Sequence, residues 1–96
     1  MYVGALSVEL YMPQCRTLKD KRQVVKSIIE RTRSRFNVSV AEVDHQDLWQ
    51  RSSLGIVSVS NSEYAVREML TNVDRSIRSL GKAEVIESPI VIFTPP

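Results

Sequence analysis

The sequence predicts an α+β protein of the ferredoxin-like class, in which a four-stranded antiparallel sheet carries two helices on one face. Three observations favour this class. Strand-like and helix-like segments alternate in the order strand, helix, strand, strand, helix, strand. Residues 2–46 and about 51–93 each form one βαβ half of similar length. Pro89 interrupts the last strand, which this topology places at a sheet edge, where a proline is tolerated.

The first half opens with a strand and a helix. In residues 5–12, apolar side chains at even positions alternate with smaller or more polar ones, which is typical of a half-buried strand, and Pro13 ends it. Thr17 and Asp20 have the spacing of a capping box. Apolar residues then recur at helical spacing, so we predict an amphipathic helix over residues 18–35.

The next two strands are predicted from β-branched segments. NVSVAEV and LGIVSVS have strand character, and we expect residues 54–60 to pair antiparallel with both the first strand and the 37–46 strand. The stretch AEVDHQDLWQR between them, residues 41–51, holds the only histidine and the only tryptophan. Its polarity and length indicate a hairpin connection with its flanking strand ends.

The second helix and the last strand complete the pattern. Asn61 or Ser62 can cap a helix whose apolar stripe runs from Val66 to Leu80, and Gly81 stands where a left-handed residue commonly ends a helix. The final strand, KAEVIESPIVIF, contains Pro89, which indicates an edge strand or a break.

Length and composition predict one soluble domain over residues 1–96. The chain is 43% hydrophobic and 25% charged, as is ordinary for globular proteins. Cys15 is the only cysteine, so no internal disulfide can form, and a reducing cytoplasm is the expected location. No signal peptide is predicted, because the start MYVGALSVEL lacks a basic leader followed by an apolar run. No membrane-spanning segment is predicted, because the longest uncharged stretch, Ser52 to Ser62, is too short.

Residues 18–61 resemble the YlxP-like family of small bacterial proteins. The most specific pieces are LKDKR, FNVSVAEVDHQDLWQR and the valine-serine strand before Asn61, and the resemblance extends over nearly the whole chain. It implies a ferredoxin-like fold. Genes of the family often neighbour those for translation initiation and ribosome maturation factors, which implies a link to ribosomal RNA. The family has no agreed catalytic residues, so the resemblance assigns none here.

The first helix is strongly basic. Residues 16–35 hold eight of the thirteen basic residues and two acidic ones, a net charge of +6, while the rest of the chain sums to −4. Four cations fall on one side of the helix, away from its apolar centre: Lys19, Arg22, Lys26 and Arg33. Such a row can follow a phosphate backbone, whereas most charge runs are simply solvated faces.

Lys21 differs from the other basic residues because it points into the apolar sector of the helix. We expect its stem to be buried and its ammonium group to reach solvent at the rim. The alternative is a salt bridge to a carboxylate on a strand.

The hairpin residues His45, Trp49 and Arg51 form a second, weaker candidate site, for a partner molecule. A metal site would need three or four convergent ligands, and a catalytic His-Asp pair would need a placed nucleophile. The sequence indicates neither, so we predict no metal, cofactor or catalytic residue. We expect Trp49 to pack as a cap on the sheet, with exposure at the hairpin tip as the alternative.

These patterns favour a non-enzymatic, RNA- or ribosome-associated protein that uses its first helix. The alternative is a protein interaction module that forms a homodimer through a sheet edge or through the open sheet face, which would carry Ala5, Ser7 and Tyr11. A small phosphate-handling enzyme near Arg16 and His45 is a third hypothesis, although MPQCR has no glycine to bring backbone close to an anion. We expect no membrane partner.

Overall fold

A computed structural model describes all residues, Met1–Pro96, and the chain forms five strands and two helices. The elements are β1 (Tyr2–Tyr11), α1 (Leu18–Arg35), β2 (Ser39–Asp44), β3 (Arg51–Ser60), α2 (Glu63–Ser79), β4 (Glu84–Glu87) and β5 (Ile90–Phe93). Their order and their antiparallel pairing confirm the ferredoxin-like α+β fold.

The strands lie in the order β2-β3-β1-β4, and β5 also pairs with β1. β3 pairs antiparallel with β1, with Leu6 opposite Ile56, and with β2, with Val40 opposite Ile56. The predicted position of the third strand is therefore confirmed. β3 begins at Arg51, however, three residues before the apolar segment that predicted it.

Proline divides the last predicted strand into two. β5 pairs with Val3–Leu6 and β4 with Glu9–Tyr11, so both lie along the same edge of β1. Between them, the Ser7 amide donates to the Pro89 carbonyl at 3.1 Å, which keeps the segment attached to the sheet. Both the edge position and the break predicted from Pro89 are confirmed.

The helix ends follow the capping residues. The Thr17 side chain accepts a hydrogen bond from the Asp20 amide, and the Asp20 carboxylate accepts one from the Arg16 amide, each at 3.0 Å. Ser62 caps α2 by accepting from the Ala65 amide. Gly81 has a φ of 66°, in the left-handed region predicted for it.

Even-numbered residues of β1 and β3 face both helices and form the core. Fourteen hydrophobic residues are buried there, among them Leu6, Leu54 and Ile56. Gly4 lies on this face against α2, where a Cβ would overlap Val66 Cγ1, so its lack of a side chain lets the helix approach closely. The odd-numbered residues form the open face of the sheet.

Neither α1 nor α2 has the length and the apolar character of a membrane-spanning helix.

Candidate nucleic-acid interface

The row of four cations predicted from helical spacing lies on the outer side of α1 next to β2. All four residues are exposed. Arg22, Lys26 and Arg33 line one groove of about 390 Å³ between α1 and β2, together with Val25, Ile29, Glu30, Ala41 and Glu42. Lys19 precedes this groove at the start of the helix. β2 is an edge strand, so the backbone groups along its outer side have no partner strand.

The cations of α1 are largely free of acidic partners. Lys26 lies 3.9 Å from Glu30, in a pair that is exposed on both sides. No carboxylate comes within 4.0 Å of Lys19, Arg22 or Arg33. An exposed pair contributes little and is screened by salt, so Glu30 offsets the positive charge of the row only weakly. Glu42 also lines the groove, but its carboxylate is bonded to Lys21.

Arg33 has a structural contact as well. Its Nη2 donates a hydrogen bond of 2.7 Å to the Val40 carbonyl on β2. This bond places the guanidinium group across the groove and satisfies a carbonyl of the edge strand. Arg33 therefore holds α1 against the sheet, and its remaining N–H groups stay available to a ligand.

Two arginines of α2 are paired with acidic residues four positions earlier in the same helix. Arg67 lies 3.8 Å from Glu63, and Arg78 lies 3.2 Å from Asp74. The two helices thus differ in how their outward charges are arranged. Arg75 departs from this pattern, because it has no carboxylate within 4.0 Å.

The prediction for Lys21 is wrong, and its alternative is correct. Lys21 is 0% exposed, so its ammonium group does not reach the rim. Nζ donates to Glu42 Oε2 at 2.8 Å and to the carbonyls of His45 and Gln46 at 2.9 and 3.2 Å. All three N–H groups are used, and the same Glu42 oxygen accepts from Ser52 Oγ at 2.6 Å. Lys21 thereby ties the start of α1 to the β2–β3 turn.

The turn itself begins at His45, which has a φ of 63°. The His45 backbone N–H donates a hydrogen bond to Asp44 Oδ1 at 2.7 Å, and the His45 carbonyl accepts one from the Leu48 amide at 3.1 Å. Aspartate-stabilised turns of this kind are common. The stretch is therefore a hairpin connection, as predicted, and strand alternation does not continue through His45.

His45 and Arg51 meet at a glutamate that sequence reasoning missed. Glu9 Oε2 lies 3.6 Å from His45 Nε2 and 3.5 Å from Arg51 Nη2, and Ser53 Oγ donates to Glu9 Oε1. All four side chains belong to one polar cluster at the end of the open sheet face. Alternation along β1 places Glu9 on that face, but only the β1–β3 register brings it opposite Ser53.

Trp49 stands apart from this cluster. It is 55% exposed, and it lines a shallow groove of about 360 Å³ with Asp47, Leu48, Gln50 and Arg51. The prediction that it packs as a cap on the sheet is wrong, because the turn that begins at His45 carries residues 47–49 away from the core. The alternative, an exposed tryptophan at the hairpin tip, is correct.

Cys15 and Arg16, the remaining reactive or charged candidates, lie outside both clusters described above. Burial is the main cause that raises the pKa of the Cys15 thiol, and Asp20 adds to it, so Cys15 is a protonated thiol near neutral pH. Arg16 is exposed, and its side chain makes no hydrogen bond or ion pair within the chain. No three histidine, cysteine, aspartate or glutamate side chains converge as metal ligands would.

Comparison with known proteins agrees with the resemblance drawn from the sequence. A curated protein of Bacillus subtilis (strain 168), described as "Uncharacterized protein YlxP", is 38% identical to this chain over 82 residues, which cover 85% of the chain and 89% of that protein. A family model matches residues 3–90. The chain therefore belongs to the family described as "Protein of unknown function (DUF503)".

Proposed function

We propose that this protein is a non-enzymatic, cytoplasmic RNA-binding domain that contacts phosphate backbone through Lys19, Arg22, Lys26 and Arg33. One observation carries the proposal: three of these cations line a single groove beside an edge strand, and Lys26 alone among the four has a carboxylate within 4.0 Å. Phosphate contacts supply most of the affinity of sequence-independent RNA binding. The neighbourhood of the family's genes supports ribosomal RNA as the ligand.

Salt dependence of binding to a fluorescent single-stranded RNA tests this proposal. Four phosphate contacts to a single strand predict a slope of roughly −3 for log affinity against log salt concentration, and each charge reversal in the row should flatten it by about 0.7. Sequence preference should be weak, because backbone contacts do not read bases.

The matched controls are Arg67→Glu and Arg78→Glu, which reverse cations already paired with Glu63 and Asp74. Equal losses in the control and row variants would refute the proposal, as would absence of RNA binding at low salt. Sedimentation of the protein with ribosomal particles from extract, before and after nuclease treatment, separates ribosomal RNA from other RNA.

The open sheet face supports self-association as a second candidate function. Its apolar side chains form adjacent cross-strand rows, with Val59 and Phe93 flanking Val3, and Val57 and Val91 flanking Ala5. Val57, Val59, Val91 and Phe93 are all exposed. A second copy placed on this face by a two-fold axis would bury apolar surface on both sides without requiring a different partner.

The predicted hairpin residues border the same face. Arg51 and His45 lie at its polar end around Glu9, and Trp49 shares a groove with Arg51. We propose that His45, Trp49 and Arg51 contribute to the rim of such a contact. Sedimentation velocity tests this: a dimer should dissociate in Val59→Lys and Phe93→Asp but not in Tyr64→Ser, a control on α2. A wild-type protein that is monomeric at high concentration would contradict the proposal.

A further inference from the structure

A second groove, between α1 and α2, brings together two arginines that no acidic side chain neutralises. It has a volume of about 460 Å³ and is lined by Arg35, Phe36, Asn72, Arg75, Ser76 and Ser79. The α2 residues recur at spacings of three and four, which places them along one side of that helix. The groove contains hydroxyl, amide and guanidinium groups and no carboxylate. It lies on the side of α1 opposite the row that faces β2.

Arg35 is fixed at the wall of this groove. Its Nη1 donates to Ser76 Oγ at 3.3 Å, and its Cζ lies 5.6 Å from the centroid of the Phe36 ring. A guanidinium group at that distance from a ring is within the range of a cation–π contact. As the last residue of α1, Arg35 also offsets the partial negative charge of the helix C-terminus. These contacts hold the side chain and use only one of its five N–H donors.

Arg75 has no comparable role in the fold. It is exposed and donates no hydrogen bond within the chain, and its neighbour Asp74 is engaged by Arg78 at 3.2 Å. Two guanidinium groups that share a groove repel each other, and the chain supplies no counter-charge there. An anion bound between them would replace that repulsion with two attractive, charge-assisted contacts.

We propose that this groove binds a phosphate group, with Arg35 and Arg75 as its cationic ligands. The guanidinium fork matches the oxygens of a phosphate with paired N–H donors. Ser79 and Asn72 supply neutral donors from the same helix face. The half-buried Phe36 ring bounds the groove and contacts the organic group that carries the phosphate. The ligand class is a phosphate ester, either of a small molecule or of a nucleic acid, and the site does not depend on the α1–β2 row.

NMR titration of the full chain, monitored at the arginine Nε–H signals, tests the site with three probes: inorganic phosphate, a ribonucleoside 5′-monophosphate and a short RNA. The Arg35 and Arg75 signals should shift saturably. Arg75→Gln should weaken binding by at least about tenfold, because a charge-assisted bond is lost. Arg75→Lys should lose less, because it keeps the charge without the fork. The Arg75 side chain is exposed and makes no hydrogen bond or ion pair within the chain, so these variants should fold normally.

The control is Arg67→Gln, on the same helix but paired with Glu63. Affinities for this comparison are taken from the Arg35 and Arg75 signals in the Lys19→Glu variant, which weakens RNA binding by the α1 row. A monophosphate that then binds as tightly as RNA identifies a small phosphorylated molecule as the source, and tighter RNA binding identifies the polymer. If no probe shifts either signal, or if Arg67→Gln loses as much affinity as Arg75→Gln, the proposal is overturned. Lys19→Glu should leave the affinity of this groove for inorganic phosphate unchanged. The titration with phosphate therefore tests this site independently of RNA binding by the α1 row.

Discussion

The two helices cover the same face of one sheet, but different chemistry attaches each of them. α2 buries an apolar stripe of Val66, Leu70, Val73 and Ile77 and approaches β1 closely at Gly4. The buried residues of α1 are Val25 and Ile28 together with Lys21 and Thr32. Thr32 bonds to Ile28 within the helix, but Lys21 and Arg33 bond to β2 and the β2–β3 turn. α1 therefore depends on directional hydrogen bonds where α2 depends on close apolar packing.

The outward faces of the two helices differ in how far their basic side chains are paired. The arginines of α2 at 67 and 78 are paired within the helix, whereas the row on α1 has one weak pair. The helix with the apolar anchor therefore has two of its three arginines paired outside, and the helix with the charged anchor is cationic outside. Lys21 fixes α1 to the β2–β3 turn by bonds with defined directions, which sets the position of the groove that carries Arg22, Lys26 and Arg33.

Removal of the α1 anchor should have the largest effect on stability. Lys21→Ala leaves the carbonyls of His45 and Gln46 without this donor and leaves the Glu42 carboxylate without its cation, and breaking a buried pair in this way costs about 3–5 kcal/mol. Urea denaturation measures the loss. Lys21→Met combined with Glu42→Gln should lose less than Lys21→Ala, because no unpaired charge remains. A loss below about 1 kcal/mol for Lys21→Ala would mean that α1, like α2, is held by apolar contacts.

A smaller effect should come from the close approach of α2. A Cβ at Gly4 would overlap Val66 Cγ1 and lie 2.7 Å from Leu70 Cδ1, so Gly4→Ala should cost about 1–3 kcal/mol through overpacking. Gly55→Ala is the control on the open face: its Cβ would lie 3.1 Å from Val43 Cγ1, and exposed Val43 can move. We expect that control to change stability by less than about 1 kcal/mol.

A double-mutant cycle sharpens this result. Adding Val66→Ala to Gly4→Ala should cost less than the sum of the single changes, because the smaller residue makes room for the new methyl group. Additive effects, or equal effects of Gly4→Ala and Gly55→Ala, would show that α2 can move away from the sheet at little cost.

Local patterns in the sequence predicted most of the fold. Alternation in β1, the caps at Thr17 and Ser62, the left-handed Gly81 and the break at Pro89 each depend on near neighbours in the chain, and each is present. The start of β3 was missed, because its first residues are polar. Ser52 and Ser53 pair with β1 through the backbone, and their hydroxyl groups bond to Glu42 and Glu9.

Some residues of the candidate sites could be placed from local sequence patterns, and others depend on contacts between distant parts of the chain. Helical angle alone places Arg22, Lys26 and Arg33 on one side, and the structure brings them to one groove. Burial of Lys21 could not be predicted, because its acceptors come from β2 and the β2–β3 turn, more than twenty residues away. The isolation of Arg75 does have a sequence signal: Thr71 and Ser79, four residues to either side, are neutral. Its position across a groove from Arg35 depends on how the two helices pack.

Charge reversal along the α1 row should have the smallest effects on stability, and these should differ in sign. Arg22→Glu and Lys26→Glu should stay within about 0.5 kcal/mol, as exposed substitutions usually do. Arg33→Glu should lose about 1 kcal/mol, because the hydrogen bond to the Val40 carbonyl disappears. Lys19→Glu places a negative charge in the first turn of α1, where the helix dipole favours it, so a gain of about 0.3 kcal/mol is expected.

Thermal unfolding followed by circular dichroism resolves this order, because 1 kcal/mol shifts Tm by roughly 4–8 °C in a domain of this size. Arg78→Glu on α2 is the comparison, since it loses the pair with Asp74 and the bond to Ser88 Oγ. If Lys19→Glu lowered Tm more than Arg33→Glu, the row would be part of the scaffold of α1. If Lys19→Glu raises Tm while it weakens RNA binding, the loss cannot be attributed to unfolding. Lys19 would then contribute to RNA binding although its positive charge slightly destabilises the N-terminus of α1.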